Sequence, residues 1–114
     1  MLNKILIILF TSIYLNASNN NSLLILNGNC TTCHFINKSI SAPSMSIVQK
    51  RYKKAFKDKE TFVNYMSTWI RNPTKEASIM HDMIDKYELM PQMVFDEDTL
   101  KDIAIYLYEN NLTK

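Results

Sequence analysis

The chain of 114 residues has a single glycine, Gly28, and a single tryptophan, Trp69, with two cysteines, two histidines and three prolines. One glycine excludes the glycine-rich loops that cradle phosphates, which need several positions free of a Cβ so that backbone can approach the ligand. Asn, Ile and Lys are plentiful beside this scarcity, a pattern that reads as genome compositional bias and not as function. No segment keeps a two-residue apolar alternation, so strands are not expected, and no internal repeat is present. An excess of one charge is missing too. Thirteen Lys and Arg stand against eleven Asp and Glu, which argues against a nucleic-acid partner, since that would call for a clustered basic surface. The one basic run, Lys50-Arg51-Tyr52-Lys53-Lys54, has Asp58 and Glu60 close behind it. It reads as a solvated face or, second, as a docking patch.

What the chain does have is Cys30-Thr31-Thr32-Cys33-His34, which holds both cysteines and one of the two histidines. Two thiols three residues apart can each add to a vinyl group on one edge of a porphyrin, while the adjacent imidazole reaches the iron. The spacing therefore reads as a covalent haem c attachment site, encoding a cofactor and an axial ligand together. A competing reading is a small exported binding module with a Cys30–Cys33 disulfide. Paired cysteines of this spacing do occur in thioredoxin-like redox sites, but those require a βαβ context, and no strands are predicted here.

The first residues read as a secretory signal peptide: a positive start at Met1 to Lys4, an apolar stretch through Ile5 to Phe10 and Ile13 to Leu15, and a small-residue zone at Asn16-Ala17-Ser18. The apolar stretch covers about 11 residues against the roughly 20 of a membrane span, so an uncleaved anchor is the poorer reading. The expected organisation is a signal peptide over 1–17, cut near Ala17 or Ser18, and one domain over 18–114. No stable membrane insertion is expected after cleavage. Removing Lys4 leaves twelve basic side chains against eleven acidic ones. A mature chain of about 97 residues has only a modest core of its own, which a buried porphyrin would enlarge.

Along the mature chain, Leu23 to Leu26 reads as a short helix ending before Cys30, although a buried strand is equally compatible with so short an apolar run. A loop follows over Phe35 to Pro43, with Ile36 and Ile40 turned inward. Ile47, Val48 and Tyr52 suggest a second helix. Asp58 is an N-cap for a third, with Glu60 in its first turn, and Phe62, Val63, Met66, Trp69 and Ile70 form its apolar stripe until Pro73 ends it. A fourth helix is expected over Thr74 to Glu88, with Ile79, Met80, Met83, Ile84 and Tyr87 on one face. At 100° per residue this puts His81 on the polar side, near Asp85. The last helix starts at the Asp96 cap, with Glu97 and Asp98 in its first turn, Phe95 stapled onto Leu100, and Leu100, Ile103, Ala104 and Leu107 facing inward.

The haem motif, its distance to Pro43 and the Met90-Pro91 pair ahead of a final helix resemble the small monohaem class I c-type cytochromes of bacteria. That resemblance implies an all-α class I cytochrome c fold, with four to five helices wrapped around one covalent haem c and a C-terminal helix crossing the N-terminal one. It also implies attachment outside the cytoplasmic membrane, hence a periplasmic address. The Pro43 carbonyl would accept a hydrogen bond from His34, fixing the tautomer and raising the basicity of the ligand. On the residues alone, Pro43 could simply end a turn. Trp69 is a core residue or, through its indole N–H, a propionate partner. Arg51 and Tyr52 are weaker candidates for the same contact.

The ligand opposite His34 decides what such an iron does. The candidates after the haem motif are Met45, Met66, Met80, Met83, Met90, Met93 and His81. Met66, Met80 and Met83 fall within apolar stripes and read as core. Met90 precedes Pro91, which pushes it out of the helical region and onto an extended loop; Met93 shares the loop without the proline. Met90 is the expected ligand, giving cofactor-binding residues Cys30, Cys33, His34, Met90, Pro43 and Trp69, with His34 and Met90 on the metal. Relatives often carry glycine just before Met-Pro, where this chain has Glu88 and Leu89. The function implied is a periplasmic one-electron carrier of a respiratory chain, monomeric and not an enzyme. Its partners would be a redox donor and acceptor, typically a terminal oxidase or a peroxidase. The alternative is a haem c sensor or enzyme with an open or displaceable sixth site.

Overall fold

Leu100, Ile103, Ala104 and Leu107 recur every three or four residues and all four are buried, so the last helix lays one continuous stripe into the core. The computed structural model describes residues 22–112, and among these every regular element is helical. The expected signal peptide over 1–17 and its cleavage point lie outside the described residues. The first helix, α1, covers residues 22–30, and its Leu26–Cys30 part is wound as a π-helix. It is followed by α2 at Met45–Ala55, α3 at Lys59–Arg71, α4 at His81–Tyr87 and α5 at Glu97–Glu109.

Helices α3 and α5 pack most extensively against each other, with α2 resting on both. Phe62 of α3 is wholly buried between Tyr52 of α2 and Tyr108 of α5, meeting each ring edge to face at centroid distances of 5.7 and 5.1 Å. Such aromatic pairs add about 0.5–1.5 kcal/mol beyond the area they bury. Leu26 brings α1 into the same core, which also takes in Met45, Val63, Met66 and Met80.

The acidic N-caps form as their residues dictate. Asp58 accepts the Thr61 N–H at 2.9 Å and the Thr61 hydroxyl at 2.7 Å, and Asp96 accepts the Thr99 N–H at 2.7 Å. Each fills one of the donors left open at a helix start.

Three local expectations are corrected. First, α1 does not stop ahead of the first cysteine but runs through Cys30. The Thr31 N–H reaches five residues back to the Leu26 carbonyl at 3.0 Å, while the Asn29 amide and the Thr31 hydroxyl take the Ile25 and Asn27 carbonyls. Second, α4 begins only at His81, whereas Thr74 was its expected start. The Thr74 hydroxyl takes the Ala77 N–H, the Ser78 hydroxyl takes the Met80 N–H and the Tyr65 hydroxyl donates to the Ala77 carbonyl. Side chains thus satisfy backbone groups that a helix would otherwise pair. Third, Ile40 is 66% exposed, whereas Ile36 packs on the core as expected.

Candidate functional site

Cys30 closes the π-helical turn, and its carbonyl accepts the His34 N–H at 2.8 Å and the Cys33 N–H at 3.3 Å. The Thr32 hydroxyl donates to the Asn29 carbonyl at 2.9 Å. Bonds spanning three to five residues therefore wind both thiols and the imidazole onto one local turn. Both cysteines are free; Cys30 is half-buried and Cys33 exposed. Burial pushes the Cys30 thiol up, with a smaller contribution from neighbouring Cys33. Cys33 is thus the more accessible of the two nucleophilic sulfurs.

The segment after His34 is stitched to α2. The Met45 and Ser46 N–H groups, unpaired donors at the start of α2, bond the Phe35 and Ile36 carbonyls at 2.8 and 3.1 Å. The Ser44 N–H bonds the Ser39 hydroxyl at 2.8 Å, and the Ser44 hydroxyl caps α2 through the Ile47 N–H. This closure brings the Pro43 carbonyl oxygen to 2.6 Å from His34 Nδ1. A carbonyl can only accept, so Nδ1 carries a proton, and in the neutral ring the lone pair is on Nε2. The imidazole is therefore held by a support of its own in the tautomer a metal ligand needs.

Met90 and Met93 lie half-buried on the loop between α4 and α5. The Glu88 N–H closes α4 on the Ile84 carbonyl at 2.8 Å, and Glu88 then adopts φ 72°, ψ 172°. That backbone region is essentially reserved for glycine, and a residue with a Cβ pays about 1–3 kcal/mol to occupy it. Downstream, the Gln92 amide donates to the Arg71 carbonyl at 2.8 Å, and Phe95 packs on the core. The loop is thus pinned on both sides of Met90-Pro91. Reasoning from sequence did not single out Glu88; the available signal was the missing glycine ahead of Met-Pro.

The remaining candidates have other partners. Trp69 is half-buried, outside the central core, and its indole N–H donates to the Thr74 carbonyl at 3.0 Å. It lines an open groove of about 570 Å³ beside Tyr65, Asn64 and Thr74. Arg51 makes a two-pronged pair with Asp82 at 2.6 and 3.0 Å, which holds the Asp82 carboxyl below the usual carboxylate range. Tyr52 is buried against Phe62. His81 is exposed as expected, but Asp85 pairs with Lys75. Met45, Met66 and Met80 are buried core, and Met83 packs on that core.

The donor set fits one covalently held haem. Two free thiols share a turn with an imidazole whose Nε2 lone pair is available, and thioethers sit half-buried on a second loop. The loops carrying His34 and Met90 both anchor on the same core, through Ile36 and Phe95. On these loops Phe35 is 40% and Leu89 44% exposed. No family model, curated protein or solved structure matches the chain.

Proposed function

We propose that the chain is a monohaem c-type cytochrome of the class I kind, exported to the periplasm, where it carries single electrons between respiratory partners. The observation that carries this reading is the imidazole of the Cys30-Thr31-Thr32-Cys33-His34 turn held through Nδ1 by the Pro43 carbonyl. That arrangement prepares Nε2 as a ligand and leaves both thiols free for attachment. When bound, the haem iron supplies reversible one-electron chemistry. Cys30 and Cys33 would hold the porphyrin through two thioethers, His34 would supply one axial ligand and Met90 the other. The Pro43 carbonyl keeps the imidazole oriented.

No general acid, base or nucleophile is needed for such a task, so the reading is of a carrier and not of an enzyme. Its donor and acceptor are redox proteins that dock weakly and briefly over a small interface. A terminal oxidase or a peroxidase would suit the acceptor role, with the carrier itself monomeric.

A pyridine haemochrome assay on the full chain, produced alongside a haem c attachment system, tests the reading. The expected spectrum is that of two thioether bonds, and Cys30→Ala should give the spectrum of one. A wild-type chain that carries no covalent haem, or a Cys30→Ala chain that still forms both thioethers, would overturn it.

A further inference from the structure

We infer that Asn111 is an acceptor for an N-linked glycan, and that Glu109-Asn110-Asn111-Leu112-Thr113 is the tract an oligosaccharyltransferase outside the cytoplasmic membrane reads. This rests on the export part of the reading above and not on its haem. An asparagine followed two residues later by Ser or Thr, with no proline between them, is the acceptor pattern for such a transfer in an exported chain. The sequence has the pattern five times, at Asn16, Asn20, Asn29, Asn37 and Asn111, while Pro73 rules out Asn72.

Placement and charge separate the five. Asn16 and Asn20 lie outside the described residues, the first within the expected signal peptide. Asn29 is wound into α1, and its side-chain nitrogen, the atom that would have to react, donates to the Ile25 carbonyl. Asn37 is exposed, but its loop is stitched to α2 and the Ser39 hydroxyl of its pattern already accepts the Ser44 N–H. Asn111 follows the end of α5, where Asn110 leaves the helix in extended backbone at φ −113° and ψ 137°. Leu112 then packs on the core while Asn111 stays exposed. Thr113 is outside the described residues, so its part rests on the sequence pattern. Only this asparagine has a carboxylate two residues ahead of it; the other four have Tyr14, Ser18, Asn27 and Phe35 there. Glu109 is 48% exposed and pairs with Lys59 at 2.5 Å. So exposed a pair contributes little and is easily exchanged for a cationic group of an enzyme, to which a carboxylate gives a charge-assisted grip.

The donor is an oligosaccharide carried on a polyprenyl pyrophosphate. The Asn111 side-chain nitrogen forms a bond to C1 of the first sugar, and the bond from C1 to the pyrophosphate oxygen breaks. The polyprenyl pyrophosphate leaves with that electron pair, the nitrogen gives up one proton to the transferase, and nothing is oxidised or reduced.

The test is intact-mass and peptide mass spectrometry of the full chain, produced in bacteria that carry an oligosaccharyltransferase and its lipid-linked glycan, after separation of periplasm from cytoplasm. The exported chain should gain one glycan, located on the Asn111 peptide. Asn111→Gln and Thr113→Val should abolish it, and Thr113→Ser and Asn37→Gln should retain it. Glu109→Gln should lower the glycosylated fraction about tenfold at early times, whereas Lys59→Gln, which removes the ion pair and keeps the carboxylate, should not lower it. An exported chain that stays unmodified, a glycan on Asn29 or Asn37, or a fraction unchanged in Glu109→Gln or equally lowered in Lys59→Gln would overturn the proposal. A chain retained in the cytoplasm would overturn the export reading and this proposal with it, which the fractionation reveals before any mass is measured.

Discussion

Gln49, buried on α2, donates its side-chain amide to the Leu107 carbonyl in the last turn of α5 at 2.6 Å, and also to the Asn110 carbonyl beyond that turn. One residue thereby satisfies two C-terminal carbonyls that the helix itself leaves unpaired. Gln49→Ala should cost about 1–3 kcal/mol, because the penalty is that of burying acceptors without donors. A lowered urea midpoint at unchanged slope is the expected result.

Acid should weaken the fold through its helix caps. The Asp58 carboxyl is held below the ordinary range by the Thr61 hydroxyl and then the Thr61 N–H, and that of Asp96 mainly by the Thr99 N–H. Because the folded state depresses both, their contribution is present above the ordinary carboxylate range and is lost as pH falls through the folded values. Asp58→Asn with Asp96→Asn keeps capping oxygens but removes the titration, so urea midpoints measured downward from neutral pH should fall less steeply in the double variant. Tyr52 acts at the other extreme. Burial, and then Tyr65, raises its phenol, so its contribution is present below the ordinary tyrosine value of about 10 and lost as pH rises beyond it. Tyr52→Phe should flatten the alkaline limb.

Gly28 offers a gain. Its φ is not positive, it lies inside the π-helical turn, and a Cβ built there meets nothing within 4 Å. Gly28→Ala should therefore stabilise the chain by roughly 0.5–1 kcal/mol, by reducing the freedom lost on folding. A raised thermal midpoint with covalent haem content unchanged is the expected outcome.

Met90 and Met93 share one loop and one degree of burial, so single substitutions separate them. In the haem-loaded ferric chain, Met90→Ala should abolish the sulfur-to-iron charge-transfer band and Met93→Ala should preserve it. The opposite pattern would move the ligand to Met93.

The elements that sequence alone located well are those whose capping chemistry and apolar period agree. Asp58 and Asp96 begin α3 and α5, and Leu100, Ile103, Ala104 and Leu107 are buried as their spacing requires. The failure over residues 74–80 has a physical source. Ile79 and Met80 continue the period of Met83 and reach the core, but they do so from a non-helical segment whose polar groups Thr74, Ser78 and Tyr65 satisfy. Periodicity reports which residues are buried, and local hydrogen bonding decided the backbone. Ile40 was misplaced because an apolar side chain in a loop has no period to orient it.

Within the site, the approach of Pro43 to His34 is what the family resemblance implied, whereas the winding of α1 through Cys30 was not expected, because so short an apolar run carries no period to mark its end. The positive φ of Glu88 had one sign in the sequence, the absence of a glycine ahead of Met90-Pro91, while its own residue type gave none. Trp69, read as a core residue or a propionate partner, is half-buried outside the central core, and its indole N–H donates five residues away to the Thr74 carbonyl.

The stitching of residues 35–44 onto the start of α2 also sets an order of assembly. The thiol turn closes over bonds three to five residues long, which the chain can form early and at small entropic cost. The imidazole's support is different. It joins residues nine apart and depends on Phe35 and Ile36 being captured by the first N–H groups of α2. A chain in which α2 has not formed can still present its two sulfurs, but its His34 has no fixed support, so the thiol turn and the oriented imidazole are assembled as separate events.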